Sequence, residues 1–361
     1  MHDPSSHPSR NHLRSWALIA AVAGIILLAF GYVGGWLAPG RLTPAKMVNQ
    51  LQADNGTFPT FRRNHAKGMC ITGYFQSSGQ AQPFSNAQVF ASGRTPVVGR
   101  FALASGNPYA PDDSVPIRSM ALRFTQANGQ QWRTGMLDIP AFLVNTPQAF
   151  YELLQAQQPD PKTGKPDPAK LGAFFGSHPE TGPFLAWVKT AKPLPSYVPD
   201  TYGSMNAFVF VGPDGVRHPV RWRMVPETAD TGGEPAKAGD PNYLAADLLQ
   251  RMAQGPLRWH LLVTLAEPGD PTNDATKAWP DSRRTVDAGM LVIEHAESQE
   301  NGPCRDINYD PTVLPAGIEL SDDPLLPARS AVYATSYLRR TSEEAQLPGA
   351  AAARPQAEGQ P

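Results

Sequence analysis

The 361-residue chain has few cysteines and few charged residues, and neither sign of charge dominates. Its 2 cysteines, Cys70 and Cys304, exclude a disulfide-rich scaffold and zinc sites built from several cysteines. The motif C-x-x-C-H is absent, which excludes covalent attachment of a c-type haem. Charged residues make up 17% of the chain and the net charge is −1, so no basic excess indicates nucleic acid as a partner.

Proline and glycine are plentiful instead, with 38 and 31 residues. Both residues punctuate a chain, so these counts favour short strands joined by stiff connections over a helical bundle. Whether Cys70 and Cys304 pair stays open, because two cysteines far apart in sequence carry no pairing signal.

One long apolar run lies near the N-terminus. Residues 16–37 contain no charged side chain and follow a polar leader, residues 1–15, that carries Arg10 and Arg14. As a helix the run would extend about 33 Å, enough to cross a bilayer. We expect a single-pass anchor in a bacterial inner membrane, with the leader in the cytoplasm and the following domain in the periplasm. A cleaved signal peptide, leaving a soluble periplasmic protein, is the alternative.

The remainder, residues 38–345, predicts one large domain. A short helix should begin at Pro44, with Thr43 as its N-cap. Short β-rich segments broken by Gly, Pro or Asn predict antiparallel strands. They are MCITGYF, AQVFAS, TPVVGRFALA, IRSMALRFT, QWRTGMLDI, NAFVFVGPDGVRHPVRWRMV, PLRWHLLVTLAE and GMLVIEH.

Helical segments lie between these strands, so we predict an α+β domain: an antiparallel β-barrel of about eight strands with inserted helices. Residues 346–361 lack aromatic and β-branched residues and predict a disordered tail.

Two short segments carry the candidate chemistry. RRNHAKGMCITGYF contains His65, although a lone histidine at a strand entrance is more often structural than catalytic. PARSAVYATSYLRR places Arg329 four residues before Tyr333, so the two would be neighbours on a helix. An arginine beside a phenol stabilises the phenolate, which is a hard anionic ligand for ferric iron.

Together these segments resemble the haem catalases. The first resembles their distal-histidine motif, R-x-x-H-A-K-G-x-x-x-x-G-Y-F, and R-S-A-V-Y resembles their proximal R-x-x-x-Y motif. The stretches between them align in order, so the likeness covers about residues 44 to 340. The shortness of the chain and its apolar N-terminal segment resemble the catalase-related peroxidases, the minimal members of that superfamily.

The resemblance implies a non-covalent haem b. Tyr333 would be the axial iron ligand, and His65 would act over the opposite haem face as general acid–base. The other positions that match haem contacts are Arg62, Arg100, Phe150, Arg329 and Arg340. Arg329 would keep the phenolate ionised, Phe150 would pack near the distal face, and the other arginines would pair with the propionates.

The chain departs from the large catalases around His65. Leu137 stands where they carry a distal asparagine, and Ala102 stands where a serine supports the distal histidine. Neither side chain can donate a hydrogen bond. Asn64 replaces a small apolar residue.

The resemblance implies a haem peroxidase that reduces hydrogen peroxide or organic peroxides through a ferryl intermediate, in defence against oxidative stress. Its partners would be peroxide, a small organic electron donor and the membrane; a homodimer stays open. A true catalase and a non-catalytic periplasmic haem-binding protein are the alternatives, and a structural barrel without haem is a third.

Overall fold

The computed structural model describes residues 10–38, 40–191, 195–227 and 240–347. The predicted leader up to residue 9 and the predicted tail beyond residue 347 lie outside the described residues. The chain divides into two compact units between Met47 and Val48. The helices are α1 (Arg10–Val33), α2 (Pro44–Asn55), α3 (Pro147–Gln157), α4 (Pro168–Ser177), α5 (Gly182–Val188), α6 (Tyr243–Met252) and α7 (Leu325–Ala345). The strands are β1 (Gly68–Ser77), β2 (Arg94–Leu103), β3 (Arg118–Thr125), β4 (Gln131–Leu137), β5 (Tyr202–Gly203), β6 (Phe208–Val211), β7 (Arg217–Pro226), β8 (Leu257–Leu265), β9 (Thr285–Ser298) and β10 (Ile318–Leu320).

Helix α1 contains the apolar N-terminal run. The most apolar 18 residues within residues 14–33 have a mean hydropathy of 2.3, and the helix is long and apolar enough to cross a membrane. It ends at Val33, before the predicted end of the run at Leu37, because Gly34 and Gly35 follow and Gly35 adopts a φ of 79°. Helix α2 begins at Pro44, as predicted.

The strands form one antiparallel sheet in the order β10-β6-β7-β5-β4-β3-β2-β1-β9-β8. Strand β8 also pairs with β7, which closes the strands from β7 to β8 into a barrel of eight, with β6 and β10 attached outside the ring. The predicted barrel with inserted helices is confirmed.

The strand predicted for AQVFAS is wrong. Gln88–Phe90 forms a single 3₁₀ turn. Val89 and Phe90 are consecutive and both buried, whereas a strand with one solvated face would bury only every second side chain. The amide of Val89 donates to Gln126 Oε1 at 2.9 Å, so a side chain replaces a ladder partner.

Alternate residues of β1 to β4 face opposite sides of the barrel wall. One set fills the core and includes Ile71, Phe101, Leu122 and Trp132. The other set faces outward in cross-strand rows. The two rows that matter for the site are Cys70–Arg100–Ala121–Gly135 and Gly68–Ala102–Ser119–Leu137.

The two cysteines form a disulfide, which settles the question that the sequence left open. Cys70 in β1 bonds Cys304, at a Cα–Cα distance of 5.3 Å and a sequence separation of 234. The bond lies in a small buried cluster with Ile307 and Tyr309. Gly302 has to be glycine here, because a Cβ at that position would lie 2.7 Å from Cys70 Sγ. The disulfide therefore fixes the segment after β9 to the outer face of β1.

Replacing both cysteines by serine should lower the free energy of unfolding by about 2–4 kcal/mol, because the bond closes a very long loop in the unfolded chain. Denaturant unfolding with and without a thiol reductant measures this. The reductant should destabilise the wild type and leave the double variant unchanged; equal midpoints in all four samples would contradict the prediction.

Candidate active site

His65 is held at a bend just before β1. Its φ is 53°, in the left-handed region that side chains other than glycine seldom adopt. Its backbone N–H donates to Asn64 Oδ1 at 2.9 Å, and its carbonyl accepts from Arg100 Nη1 at 2.8 Å. These two bonds hold the backbone that aims the imidazole.

The imidazole is oriented by the hydroxyl of Ser119. Ser119 Oγ lies 3.1 Å from His65 Nδ1 and 3.3 Å from the carbonyl oxygen of Ala102. A carbonyl can only accept, so the single hydroxyl proton goes to Ala102 and the oxygen accepts from Nδ1–H. This pattern assigns the proton to Nδ1 and leaves a lone pair on Nε2. His65 is thereby prepared to take up a proton at Nε2.

Ser119 was not among the site residues predicted from the sequence. Ala102 indeed lacks a donor, but Ser119 lies directly across from it on β3 and supplies one. The signal that could have identified it is the register between VVGRFALA and IRSMALRFT. That register depends on strand pairing, which the sequence analysis did not work out.

The environment of His65 keeps its imidazole neutral. Burial, together with the positive charges of Arg100 and Arg329, lowers the pKa of His65 to about 3. A neutral imidazole at physiological pH is the form that can act as a general base.

Tyr333 and Arg329 are neighbours on α7, as their spacing predicts. Arg329 Nη2 donates to Tyr333 Oη at 3.4 Å, which places positive charge at the phenol oxygen. Arg329 Nη1 also donates to Asn206 Oδ1, and Asn206 Nδ2 donates to Asp323 Oδ2 at 2.7 Å. A chain of hydrogen bonds therefore fixes the guanidinium beside the phenol.

Gly135 allows α7 to approach the barrel wall. A Cβ at this position of β4 would lie 3.3 Å from Arg329 Nη2, tighter than an ordinary contact. Because Gly135 belongs to the outward row of Arg100, the guanidinium of Arg329 lies over the same face of the wall.

Arg62, Arg100 and Arg340 are close enough to repel one another. Burial and the positive charges of Arg100 and Arg340 lower the pKa of Arg62. Burial, together with the charge of Arg340, lowers the pKa of Arg100 to about 10. Arg62 Nη2 donates to the carbonyls of Cys304, Arg305 and Ile307 at 3.0, 3.1 and 2.9 Å. Arg340 Nη1 donates to the Arg305 carbonyl at 2.7 Å.

The charge of Asp306 reaches Arg62 and Arg340, but its carboxylate pairs with Arg305. Among the described residues, no carboxylate lies within ion-pair distance of Arg62, Arg100 or Arg340. Arg100 and Arg340 are only 3% exposed, and Arg100 Nε is buried without an acceptor. Buried cations without an anion are costly, so this cluster is suited to a ligand that carries carboxylates.

Phe150 lies in α3, half buried, with its ring 6.0 Å from that of Phe142. Both belong to a cluster between α3 and α4 that is separate from the barrel core. The place of Phe150 against a cofactor stays a prediction.

The residues present fit a haem. A phenol oxygen suits ferric iron, and buried unpaired arginines suit propionates. The buried Arg100 Nε, which has no acceptor in the protein, is the structural sign of such a ligand. Tyr333 and the three arginines would hold it, and His65 would act beside it as general acid–base.

Tyr333→Phe should reduce haem retention by at least about tenfold, since it removes the oxygen that would bind the iron. Tyr337→Phe, one turn further along α7, is the matched control and should retain haem. Absorbance of the haem per protein after purification measures both. Equal haem content in the two variants would contradict the role of Tyr333.

Comparison with known proteins places this geometry in a family. A family model described as "Catalase" matches residues 44–359. A catalase-related peroxidase of Synechococcus elongatus is 37% identical over 335 residues, covering 92% of this chain and 98% of that protein. A catalase-related peroxidase of Mycolicibacterium paratuberculosis is 31% identical over 314 residues, covering 86% and 99%.

Solved structures show the same fold. A bacterial catalase superposes with a TM-score of 0.69 at 22% identity, covering 84% of this chain and 61% of that chain. Catalase A from Saccharomyces cerevisiae superposes with a TM-score of 0.68 at 20% identity, covering 78% and 62%. The residues that the family model matches include the barrel strands, His65 and α7, and the chain belongs to the catalase family.

Proposed function

We propose that this protein is a haem-dependent peroxidase that reduces hydrogen peroxide or organic peroxides with an external organic electron donor. The observation that carries the proposal is the Ser119–His65 contact, since it leaves Nε2 unprotonated. A protein that only carried haem would need no oriented base. Two relatives that align over nearly their whole length, those of Synechococcus elongatus and Mycolicibacterium paratuberculosis, are named catalase-related peroxidase.

The external donor supplies the electrons and protons that the reduction of peroxide requires. Hydrogen peroxide takes up two electrons and two protons and leaves as two waters, and two donor molecules each supply one electron and one proton. A non-covalent haem b, when bound, supplies the iron that accepts and passes on these electrons.

His65 moves the proton that the first step requires. Its Nε2 accepts a proton from the incoming peroxide and returns it to the far oxygen, so that this oxygen leaves as water or alcohol. Ser119 keeps Nδ1 protonated during this transfer, and Arg100 and Asn64 keep the backbone in place. Tyr333 would hold the cofactor through its phenol oxygen, beside which Arg329 lies.

The rate of reaction with peroxide should be independent of pH from about pH 5 to 8, because a base with a pKa of about 3 is already neutral there.

Ser119→Ala should lower the rate of reaction with peroxide about tenfold with haem content unchanged, since the imidazole loses the bond that sets its tautomer. Ser119→Thr keeps a hydroxyl and should recover most of the rate. Stopped-flow mixing with peroxide measures all three proteins, and an unchanged rate in Ser119→Ala would exclude the role of Ser119.

The balance between peroxidase and catalase activity depends on Leu137. This residue ends β4 directly across from Ser119, so it belongs to the same outward row. A catalase must oxidise a second hydrogen peroxide, and an apolar side chain here gives that peroxide no donor. One lost hydrogen bond costs about 1–3 kcal/mol, or one to two orders of magnitude in rate. Ser119 still supports His65, so the rate of the first step, in which His65 moves the proton of the incoming peroxide, should fall less.

Leu137→Asn should raise oxygen release from hydrogen peroxide by about tenfold or more relative to oxidation of a phenolic donor. Leu137→Val, which keeps an apolar side chain, is the matched control and should leave the ratio unchanged. An oxygen electrode and a dye assay give the two rates. Vigorous oxygen release by the wild type would mean that Leu137 does not set the balance.

We also propose that α1 anchors the protein in a bacterial inner membrane with the haem domain in the periplasm. The exposed apolar residues of α1 support an anchor, and the Cys70–Cys304 disulfide favours an oxidising compartment. The protein should sediment with membranes, and a C-terminal reporter that matures only under oxidising conditions should be active. A soluble periplasmic product that begins near residue 38 would instead indicate cleavage.

A further inference from the structure

Two arginines outside the predicted site face each other on the barrel wall. Arg123 in β3 and Arg133 in β4 are direct cross-strand partners. Both are half buried. Like charges at directly opposed positions destabilise a sheet, so this pair needs a compensating interaction.

The protein itself supplies little compensation. Arg133 donates only to neutral oxygens: Gln131 Oε1 at 3.0 and 2.7 Å, and the carbonyl of Asn308 at 2.7 Å. Within the part of the chain that the structure describes, Arg123 makes no hydrogen bond or ion pair, and its Nε is buried without an acceptor.

The acidic group whose charge acts on Arg133 already accepts other hydrogen bonds. The charge of Asp310 reaches Arg133, but both of its oxygens accept hydrogen bonds, Oδ1 from Thr312 and Oδ2 from Ser330. Asp310 therefore moderates the local charge without bonding either guanidinium.

The pair lies beside the candidate haem site on the same face of the wall. Arg123 follows Ala121 by two residues, and Ala121 is the cross-strand partner of Arg100. The two rows are thus about 7 Å apart along the strand. Tyr309 is close to both rows. Its hydroxyl donates to the carbonyl of Val98, the cross-strand partner of Arg123, and the charges of Arg100 and Arg123 both act on it.

We propose that Arg123 and Arg133 bind the carboxylate of an anionic aromatic electron donor at the edge of the haem site. This inference rests on the proposed peroxidase function and names the class of its donor. Arg62, Arg100 and Arg340 already provide cations for the propionates, so the second pair is left for another anion. Planar guanidinium groups side by side match the two oxygens of a carboxylate. An aromatic ring attached to it would lie near Tyr309 and near the cofactor, as electron donation requires.

Two phenolic donors that differ only in charge test whether Arg123 and Arg133 bind a carboxylate. The anion para-hydroxyphenylacetate and the neutral para-hydroxyphenylacetamide carry the same phenol and have nearly the same size. The holoenzyme should show a KM for the acid at least about tenfold below that for the amide, and added salt should narrow the gap. Arg123→Gln and Arg133→Gln should each raise the KM for the acid about tenfold, with kcat and the KM for the amide unchanged.

The matched control is Arg258→Gln. Arg258 is an exposed arginine on β8, distant in the ring from β3 and β4, whose nearest carboxylate is Glu227 at 3.7 Å. This variant should behave as wild type with both donors. Equilibrium dialysis of the two phenols against resting holoenzyme measures affinity without turnover. Arg123→Gln and Arg133→Gln should weaken the affinity for the acid and leave the affinity for the amide unchanged.

The outcomes separate the donor site from the function. Turnover of both phenols with equal KM, and equal affinity in dialysis, would overturn the anion site and leave the peroxidase in place. Turnover of neither phenol would overturn the peroxidase, and dialysis would still decide whether the pair binds the carboxylate. Loss of haem absorbance in Arg123→Gln or Arg133→Gln would also overturn the proposal, because the pair would then serve the propionates.

Discussion

The alternation of side chains along the barrel strands is the constraint on which the rest of this protein depends. Because the ring of strands is closed, every residue of β2, β3 and β4 must face either the apolar core or the outside. Phe101 and Met120 fill the core, and their neighbours Arg100 and Ser119 therefore face outward. A barrel wall can in this way be a hydrophobic core on one side and a polar binding surface on the other. A shift of register by one residue would exchange the two faces.

The Ser119 hydroxyl shows how little is needed to convert that surface into a catalytic one. It has one proton to give, and the Ala102 carbonyl takes it, so its oxygen can only receive from His65. The direction of two hydrogen bonds thus decides which imidazole nitrogen is basic. A serine on β2, the position that the large catalases use, and a serine on β3 can perform the same task, because cross-strand partners are adjacent in space.

The sequence allowed much of the fold to be predicted. The barrel, the helix at Pro44 and the helix that carries Arg329 and Tyr333 follow from local patterns, and His65 and Tyr333 follow from their motifs. Ser119, the Cys70–Cys304 bond and the Arg123–Arg133 pair were missed or left open for one reason. Each depends on which strands or loops are adjacent, and local composition does not record adjacency. The strand expected at AQVFAS failed for the related reason that burial of two consecutive side chains is a tertiary effect.

The position of the disulfide along the chain also determines the order in which the site can be assembled. Cys70 lies in the first barrel strand, and its partner comes 234 residues later, after the last strand of the ring. The segment that begins at Cys304 supplies the carbonyls that hold Arg62 and Arg340, and α7 follows it. Both walls of the proposed haem site therefore remain incomplete until nearly the whole chain has been synthesised. A chain truncated before α7 could close its barrel and still lack Tyr333, the proposed iron ligand, so uptake of the proposed haem would belong to the end of maturation and would report that the entire domain has been made.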